Sequence, residues 1–290
     1  MSNTLPIMRS LGMSLVGVYT LLSIGCSKTE TRNPAEGDRH STEQILPANL
    51  EDDREGPYAV FLARILEEAE IPQEDARHIQ EVAREGPAFL MDLLSVLEGD
   101  PCIRVLVDKE HALAAEYEPE DLVDLTHGSY QVSRPGLRLR KAAEMALEEM
   151  AAAARADGVI LTVSSTYRSY AYQETVYTRN VRELGQETAD KESARPGHSQ
   201  HQLGLVVDFG SIDDAFAETK AGRWLEEQAS FFGWSLSYPQ GYEGLTGYRW
   251  ECWHYRYVGR ELTYFMDTYF NGIQQYALRF IYQWEKAWGL

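Results

Sequence analysis

The chain has 290 residues, 44% hydrophobic and 11% aromatic, a composition that supports a sizeable folded core with appendages. Its formal net charge is −18. That excludes a nucleic-acid partner, because phosphate binding needs clustered Lys and Arg.

Residues 1–25 carry Arg9 and then an apolar run from Leu11 to Ile24, followed by polar sequence. The run is short for a transmembrane helix and reads as an export signal. The small residues before Cys26 resemble a bacterial lipobox, although Ser23 stands where leucine is usual. The resemblance implies lipidation at Cys26, and so an exported, membrane-anchored lipoprotein facing the periplasm or cell wall. Ordinary signal cleavage and an uncleaved anchor are the alternatives. Residues 26–57 are polar and punctuated and read as a flexible tether; about thirty such residues span about 30 Å r.m.s..

Residues 58–100 read as a helical N-terminal segment, with "AVFLARILEEAEI", "PQEDARHIQEVAREG" and "GPAFLMDLLSVLEG" in succession. A domain over residues 101–260 follows. Its opening, "CIRVLVDKEHAL", is β-like. "KAAEMALEEMAAAARADG" is a helix stopped at Gly158, "VILTVSSTYR" a strand, and "SYAYQETVYTRNVREL" a helix opening at Ser169. "AGRWLEEQASFFG" is a helix stopped at Gly233; "WSLSY" and "GYRWECWHYRYVG" are β-rich. The elements mix without a regular βαβ rhythm, which predicts an α+β fold whose central, mostly antiparallel sheet is flanked by helices. Residues 261–290 read as a C-terminal helix packed on the domain. Cys102 and Cys252 read as packing residues, with a disulfide between them left open.

Ser-x-x-Lys, Gly-x-Ser-x-Gly, His-Glu-x-x-His and phosphate-cradling glycine loops are absent. What remains is "PGHSQHQLGLVVDFG", Pro196 to Gly210, and "ECWHYRYVG", Glu251 to Gly259. A carboxylate at Asp208 inside an apolar strand is costly without a partner. His201, Asp208 and His254 form a sound three-ligand set for catalytic zinc, with Glu251 left as general base on the bound water. The plainer reading makes His201 a capping residue, Glu251 a solvated carboxylate and Asp208 a turn former before Gly210. On an ideal strand Glu251 and His254 point to opposite faces, so their convergence requires a bulge or a turn. His198 reads as an entrance or hydrogen-bonding residue. Trp250, Trp253, Tyr255 and Tyr257 read as core and pocket wall.

Together "SQHQLGLVVD" and "ECWHYRYVG" resemble the VanY-type zinc D-alanyl-D-alanine carboxypeptidase family, which also includes L,D-carboxypeptidases of peptidoglycan. "SSTYRSYAYQ", Ser164 to Gln173, resembles its substrate-binding Tyr-Arg segment, and "VLVDKEHALAAEYEPEDLV" the start of its catalytic domain. The chain departs from the family at Cys252, where Pro is usual, and at Val206, where Ala is usual. Cys252 thereby puts a thiol, a soft metal ligand, next to the site.

The resemblance implies a Hedgehog/DD-peptidase-like fold and about one zinc per chain held by His201, Asp208 and His254. It implies Glu251 as catalytic base, and Arg168 binding the substrate's terminal carboxylate or the developing oxyanion. Gln173 and Ser199 would assist. The implied partner is a stem peptide ending in D-Ala, met by a monomer. D,D-cleavage is preferred over L,D-cleavage of tetrapeptides and over endopeptidase action, which would leave Arg168 without a terminal carboxylate. A rival of another class is a non-catalytic, zinc-containing cell-wall-binding lipoprotein.

Overall fold

The computed structural model describes residues 56–126 and 128–289. The expected export signal over 1–25, lipidation at Cys26 and nearly all of the tether over 26–57 lie outside the described residues.

Three helices open the described chain: α1 (Pro57–Glu68), α2 (Gln73–Glu85) and α3 (Ala88–Glu98). Pro57 suits the first helical turn, where its missing N–H costs nothing. Leu62, Ile65 and Leu66 on α1 and Phe89, Leu90, Leu93 and Val96 on α3 recur at helical spacing and are buried. Alone, three short helices would bury little. Their apolar faces close against the far end of the chain, on Leu262, Phe265, Met266, Leu278, Phe280 and Ile281. The Phe89 ring stands 5.4 Å from Phe265 and 5.7 Å from Phe280.

The central elements are β1 (Leu122–Asp124), β2 (Gln131–Val132), β3 (Arg138–Arg140), α4 (Lys141–Ala156), β4 (Thr162–Ser165), α5 (Tyr170–Leu184), α6 (Gln186–Glu192), β5 (Val206–Phe209), α7 (Lys220–Gln228), β6 (Trp234–Leu236), α8 (Glu243–Thr246) and β7 (His254–Tyr257). β1 and β3 pair antiparallel, and a five-stranded sheet runs β2-β4-β5-β7-β6. Only the β2–β4 pair in it is parallel. Ala143, Leu147, Met150, Ala151 and Ala154 of α4 join Val163, Val207, Phe209 and Tyr255 in one core. Side chains alternate along a strand, so Asp208, between Val207 and Phe209, projects from the other face. There the register sets Asp208 opposite Ser165 on β4 and His254 on β7.

Two expectations are corrected. "CIRVLVDKEHAL" forms no strand: Pro101–Arg104 is a 3-10 turn and the following residues have no regular structure. The fully buried Arg256 donates from Nη2 to the carbonyls of Ile103 and Val105, at 3.0 and 2.8 Å, taking acceptors a neighbouring strand would need. Asp108 then turns the chain by accepting from the backbone N–H of Glu110 and His111. The C-terminal residues form two helices, α9 (Arg260–Tyr269) and α10 (Gln274–Trp288), rather than one. Asn271 and Gly272, both at positive φ, break them apart. Cys252 is a free buried thiol, so no Cys102–Cys252 disulfide forms.

Candidate metal and substrate site

Asp208 stands at the centre, held at mid-strand by β4 and β7 on either side. His201 comes from a short 3-10 turn, Gln200–Leu203, that Gly204 closes at φ 70°. That left-handed conformation is open to glycine at little cost, and it turns the chain from His201 into β5. His201 Nε2 lies 3.2 Å from Asp208 Oδ2, and His254 Nδ1 lies 3.1 Å from Asp208 Oδ1. The three side chains are buried, and their ligand-type atoms all lie within 4.8 Å of one another.

The convergence of Glu251 and His254 comes from a turn. The His254 N–H donates to the Glu251 carbonyl at 3.1 Å, so β7 begins only at His254. Glu251 Oε2 thereby comes within 3.3 Å of His254 Nδ1, with its side chain 14% exposed. The solvated carboxylate of the plainer reading is not what the fold makes of it.

The far nitrogens of the two imidazoles are occupied. His201 Nδ1 is 2.7 Å from the Thr166 carbonyl, which only accepts, so that nitrogen carries the proton and Nε2 presents its lone pair. His254 Nε2 lies 3.3 Å from Gln200 Oε1. Burial pushes the His201 pKa down to about 4, with the Arg168 charge adding to it. Burial also disfavours charge on His254, yet hydrogen bonds to Asp208 and Glu251 hold its pKa up at about 9. Asp208 is itself buried, but His201, His254 and Arg168 keep its carboxyl well below the usual range. Asp208 Oδ1 nevertheless accepts no well-formed hydrogen bond among the described residues. Two carboxylates that call for positive charge, the His201 lone pair, a second imidazole whose Nδ1 faces both carboxylates and can exchange its proton for a cation, and an unsatisfied carboxylate oxygen fit a divalent cation with nitrogen and oxygen ligands.

Arg168 reaches the cluster from the loop after β4. Its Nη2 donates to Asp208 Oδ2 at 2.8 Å, and Nε and Nη2 both donate to Ser165 Oγ, at 3.0 and 2.8 Å. Ser169 caps α5 by accepting from the Tyr172 N–H, which fixes where the loop ends. Gln173, one turn into α5, is 1% exposed; its Nε2 donates to the Ala194 carbonyl at 2.7 Å, while its Oε1 has no partner among the described residues. Arg168, Gln173, Ser199, Glu251 and the three cluster residues line one cleft of about 360 Å³. That is within the range of small-ligand sites.

His198 lies off this cleft, its Nδ1 2.7 Å from the Asp108 carbonyl. The Cys252 thiol turns toward the carbonyls of Asp213 and Asp214, at 3.7 and 3.9 Å, and is not part of the cluster. Trp253 lines the cleft and Tyr255 lies in the core; Trp250 and Tyr257 pack on the core's edge. Reading the sequence missed Tyr238 and Tyr248 in the cleft wall, and Arg134 and Arg179 at its rim. Nothing in the spacing of these four singles them out.

Residues 136–260 match the family model VanY, D-alanyl-D-alanine carboxypeptidase. The YodJ protein of Bacillus subtilis is 36% identical over 179 residues, covering 59% of this chain and 65% of that protein. The chain therefore spans just under two thirds of this curated relative. The solved structure of the L,D-carboxypeptidase LdcB shares 33% identity at a TM-score of 0.53, over 59% of this chain and 86% of that one. A vancomycin-resistance D,D-pentapeptidase VanY, solved as a variant in complex with Zn(II), shares 31% identity at a TM-score of 0.51, over 61% of this chain and 98% of that one. On these matches the chain belongs to the VanY family of D-alanyl-D-alanine carboxypeptidases.

Proposed function

We propose that this chain is a zinc-dependent carboxypeptidase that removes the terminal D-alanine from peptidoglycan stem peptides, with D,D-cleavage preferred. One observation carries the reading: three buried ligand-type side chains converge beside a fourth, acidic one in a cleft whose wall holds an arginine. In this reading His201, Asp208 and His254 hold one zinc. When bound, zinc supplies a Lewis acid and brings the pKa of a coordinated water down to about 7.

The chain's own residues do the rest. Glu251 takes a proton from the attacking water and returns it to the leaving amine. Arg168 holds the substrate's terminal carboxylate. Its Nε and Nη2 are committed to Ser165 and Asp208, which fixes the plane of the guanidinium and leaves Nη1 to donate. Gln173 lines the cleft with its amide N–H committed to the Ala194 carbonyl, and assists from the cleft wall. Ser199 lines the same cleft.

The likeness to LdcB favours a second reading, L,D-cleavage of tetrapeptides. Incubating the full chain with pentapeptide and tetrapeptide muropeptides, with and without chelator, separates the readings by mass spectrometry. Loss of one D-alanine from the pentapeptide is the expected result, and loss from the tetrapeptide alone supports L,D-cleavage. Tight binding without product supports a non-catalytic cell-wall-binding protein, and cleavage indifferent to chelator overturns the role of zinc. Export behind residues 1–25 and lipidation at Cys26 belong to the proposal on the strength of the sequence pattern. Among the described residues no helix is long and apolar enough to cross a membrane. Labelling with a palmitate analogue tests the anchor, and an unlabelled protein removes it.

A further inference from the structure

Helix α10 lies beyond the residues matched by the family model, yet its first residue is joined to the ligand cluster through Gln200. Gln274 is 1% exposed, and Gln200, the chain neighbour of His201, is 2% exposed. Their contacts form a line. Gln274 Nε2 donates to the Ser235 carbonyl at 3.3 Å. Gln200 Nε2 donates to Gln274 Oε1 at 3.2 Å. Gln200 Oε1 accepts from Ser237 Oγ at 2.7 Å and lies 3.3 Å from His254 Nε2.

The direction of this line is dictated by its far end. A backbone carbonyl only accepts, so Gln274 must turn its NH2 to Ser235 and its own carbonyl to Gln200. Gln200 must then give its NH2 to Gln274 and its carbonyl to His254. An acceptor at that point calls for a proton on His254 Nε2. In the neutral ring that metal binding requires, the lone pair is then on Nδ1, the nitrogen that faces Asp208 and Glu251.

We propose that Gln274 and Gln200 are positioning residues that set the tautomer and ring orientation of His254, so that the C-terminal helix completes the zinc site. The proposal rests on the zinc reading above. It assigns a function to the helical cap made by the first and last described helices: α1 and α3 pack on α9 and on α10, the helix that opens with Gln274. Groups that orient a metal-bound histidine contribute roughly 10–100-fold in metal affinity.

The test uses the full chain as Gln274→Met, Gln200→Met and Gln275→Met. Gln275 is the control: it is next on the helix and buried, but its Nε2 donates to Asp108 Oδ2 at 2.7 Å, away from His254. Zinc affinity is measured with the metal alone by chelator competition, and kcat and KM with a stem peptide at saturating zinc. Gln274→Met and Gln200→Met are expected to bind zinc roughly 10–100-fold more weakly and to lose kcat with KM little changed. Gln275→Met should bind it as wild type does. Wild-type affinity in the first two variants overturns the proposal, and so does an equal loss in Gln275→Met, which would mean packing alone. If Gln274→Met does not fold, Gln200→Met, on a turn outside the helix, decides by the same measure. A wild-type protein that takes up no zinc overturns the zinc reading as well; normal wild-type uptake with unaffected variants overturns this proposal alone.

Discussion

Glu251→Gln separates proton transfer from metal binding, because the structure holds the two apart. The turn that places Glu251 is made by its backbone: its N–H donates to the Tyr238 carbonyl at 3.0 Å and its carbonyl accepts from the His254 N–H. The carboxylate itself contacts His254 Nδ1 at 3.3 Å and makes no other hydrogen bond or ion pair among the described residues. Substitution by the isosteric amide therefore keeps the turn and removes only the base. General-base catalysis contributes about 10²–10⁴ in rate. That is about 3–5 kcal/mol on the barrier. The expected variant binds zinc with wild-type stoichiometry, keeps KM close to wild type, and loses kcat by that factor, whereas His254→Ala loses both metal and turnover. D-alanine release and bound zinc are measured on the same preparations. A Glu251→Gln protein that cleaves at the wild-type rate would falsify the assignment of the base. One that sheds its zinc along with its activity would make Glu251 a ligand instead.

Gly204→Ala should destabilise the fold by about 2–4 kcal/mol in urea titrations, combining the left-handed backbone penalty with overpacking; an added Cβ would sit 2.8 Å from Leu122 Cδ2 and 3.2 Å from Arg140 Cγ. A loss under about 0.5 kcal/mol, the range of an ordinary surface change, would show that the turn relaxes freely. Arg168→Lys should abolish the preference for a free C-terminal carboxylate over a C-terminal amide, because an ammonium does not reproduce the guanidinium fork; an unchanged acid-to-amide ratio of kcat/KM counts against the carboxylate role. Lys109 packs its ammonium 3.5 Å from the Tyr248 ring centroid and donates to the Asp190 carbonyl. Burial, with Arg195 adding to it, outweighs Asp190 and Glu251 and lowers its pKa to about 8. Between that value and the unfolded value of about 10.4 the unfolded chain binds more protons, so wild-type stability should rise with pH across this window relative to Lys109→Met. Parallel pH–stability curves would contradict it.

The parts of the fold that were legible in the sequence are those whose signals are local. The run from Lys141 ends as a helix at Ala156, just before Gly158, and Ser169 caps the helix that opens at Tyr170. Gly233 stops the segment after α7 at φ 78° where a Cβ would meet the Gly259 backbone at 2.8 Å. The β-like composition of residues 102–113 misled because composition describes side chains, while strand formation depends on where backbone carbonyls find donors. At Ile103 and Val105 the donor is the guanidinium of Arg256, more than 150 residues away in the chain. The tail misled for the opposite reason. Its apolar period survives the break at Asn271 and Gly272, because α9 and α10 bury their faces in the same core.

The site divides along the same line. His201 and Asp208 sit seven residues apart and Glu251 and His254 three, so each pair announces itself within a short window. The turn that makes the second pair converge was a geometric requirement before it was an observed hydrogen bond. Gln200 stood inside the quoted motif but looked inert, since an amide between a serine and a histidine has no chemistry of its own. Gln274 offered no signal at all: it opens an amphipathic helix whose period accounts for every apolar neighbour. Its importance comes from polarity transmitted through space, from a carbonyl on β6 through two amides to an imidazole on β7. Such a line has meaning only once both strands and the helix are in place. The residues that perform chemistry are therefore readable by type and spacing. Those that set the protonation of a ligand are readable only by following donors and acceptors to a group, such as the Ser235 carbonyl, that has no choice.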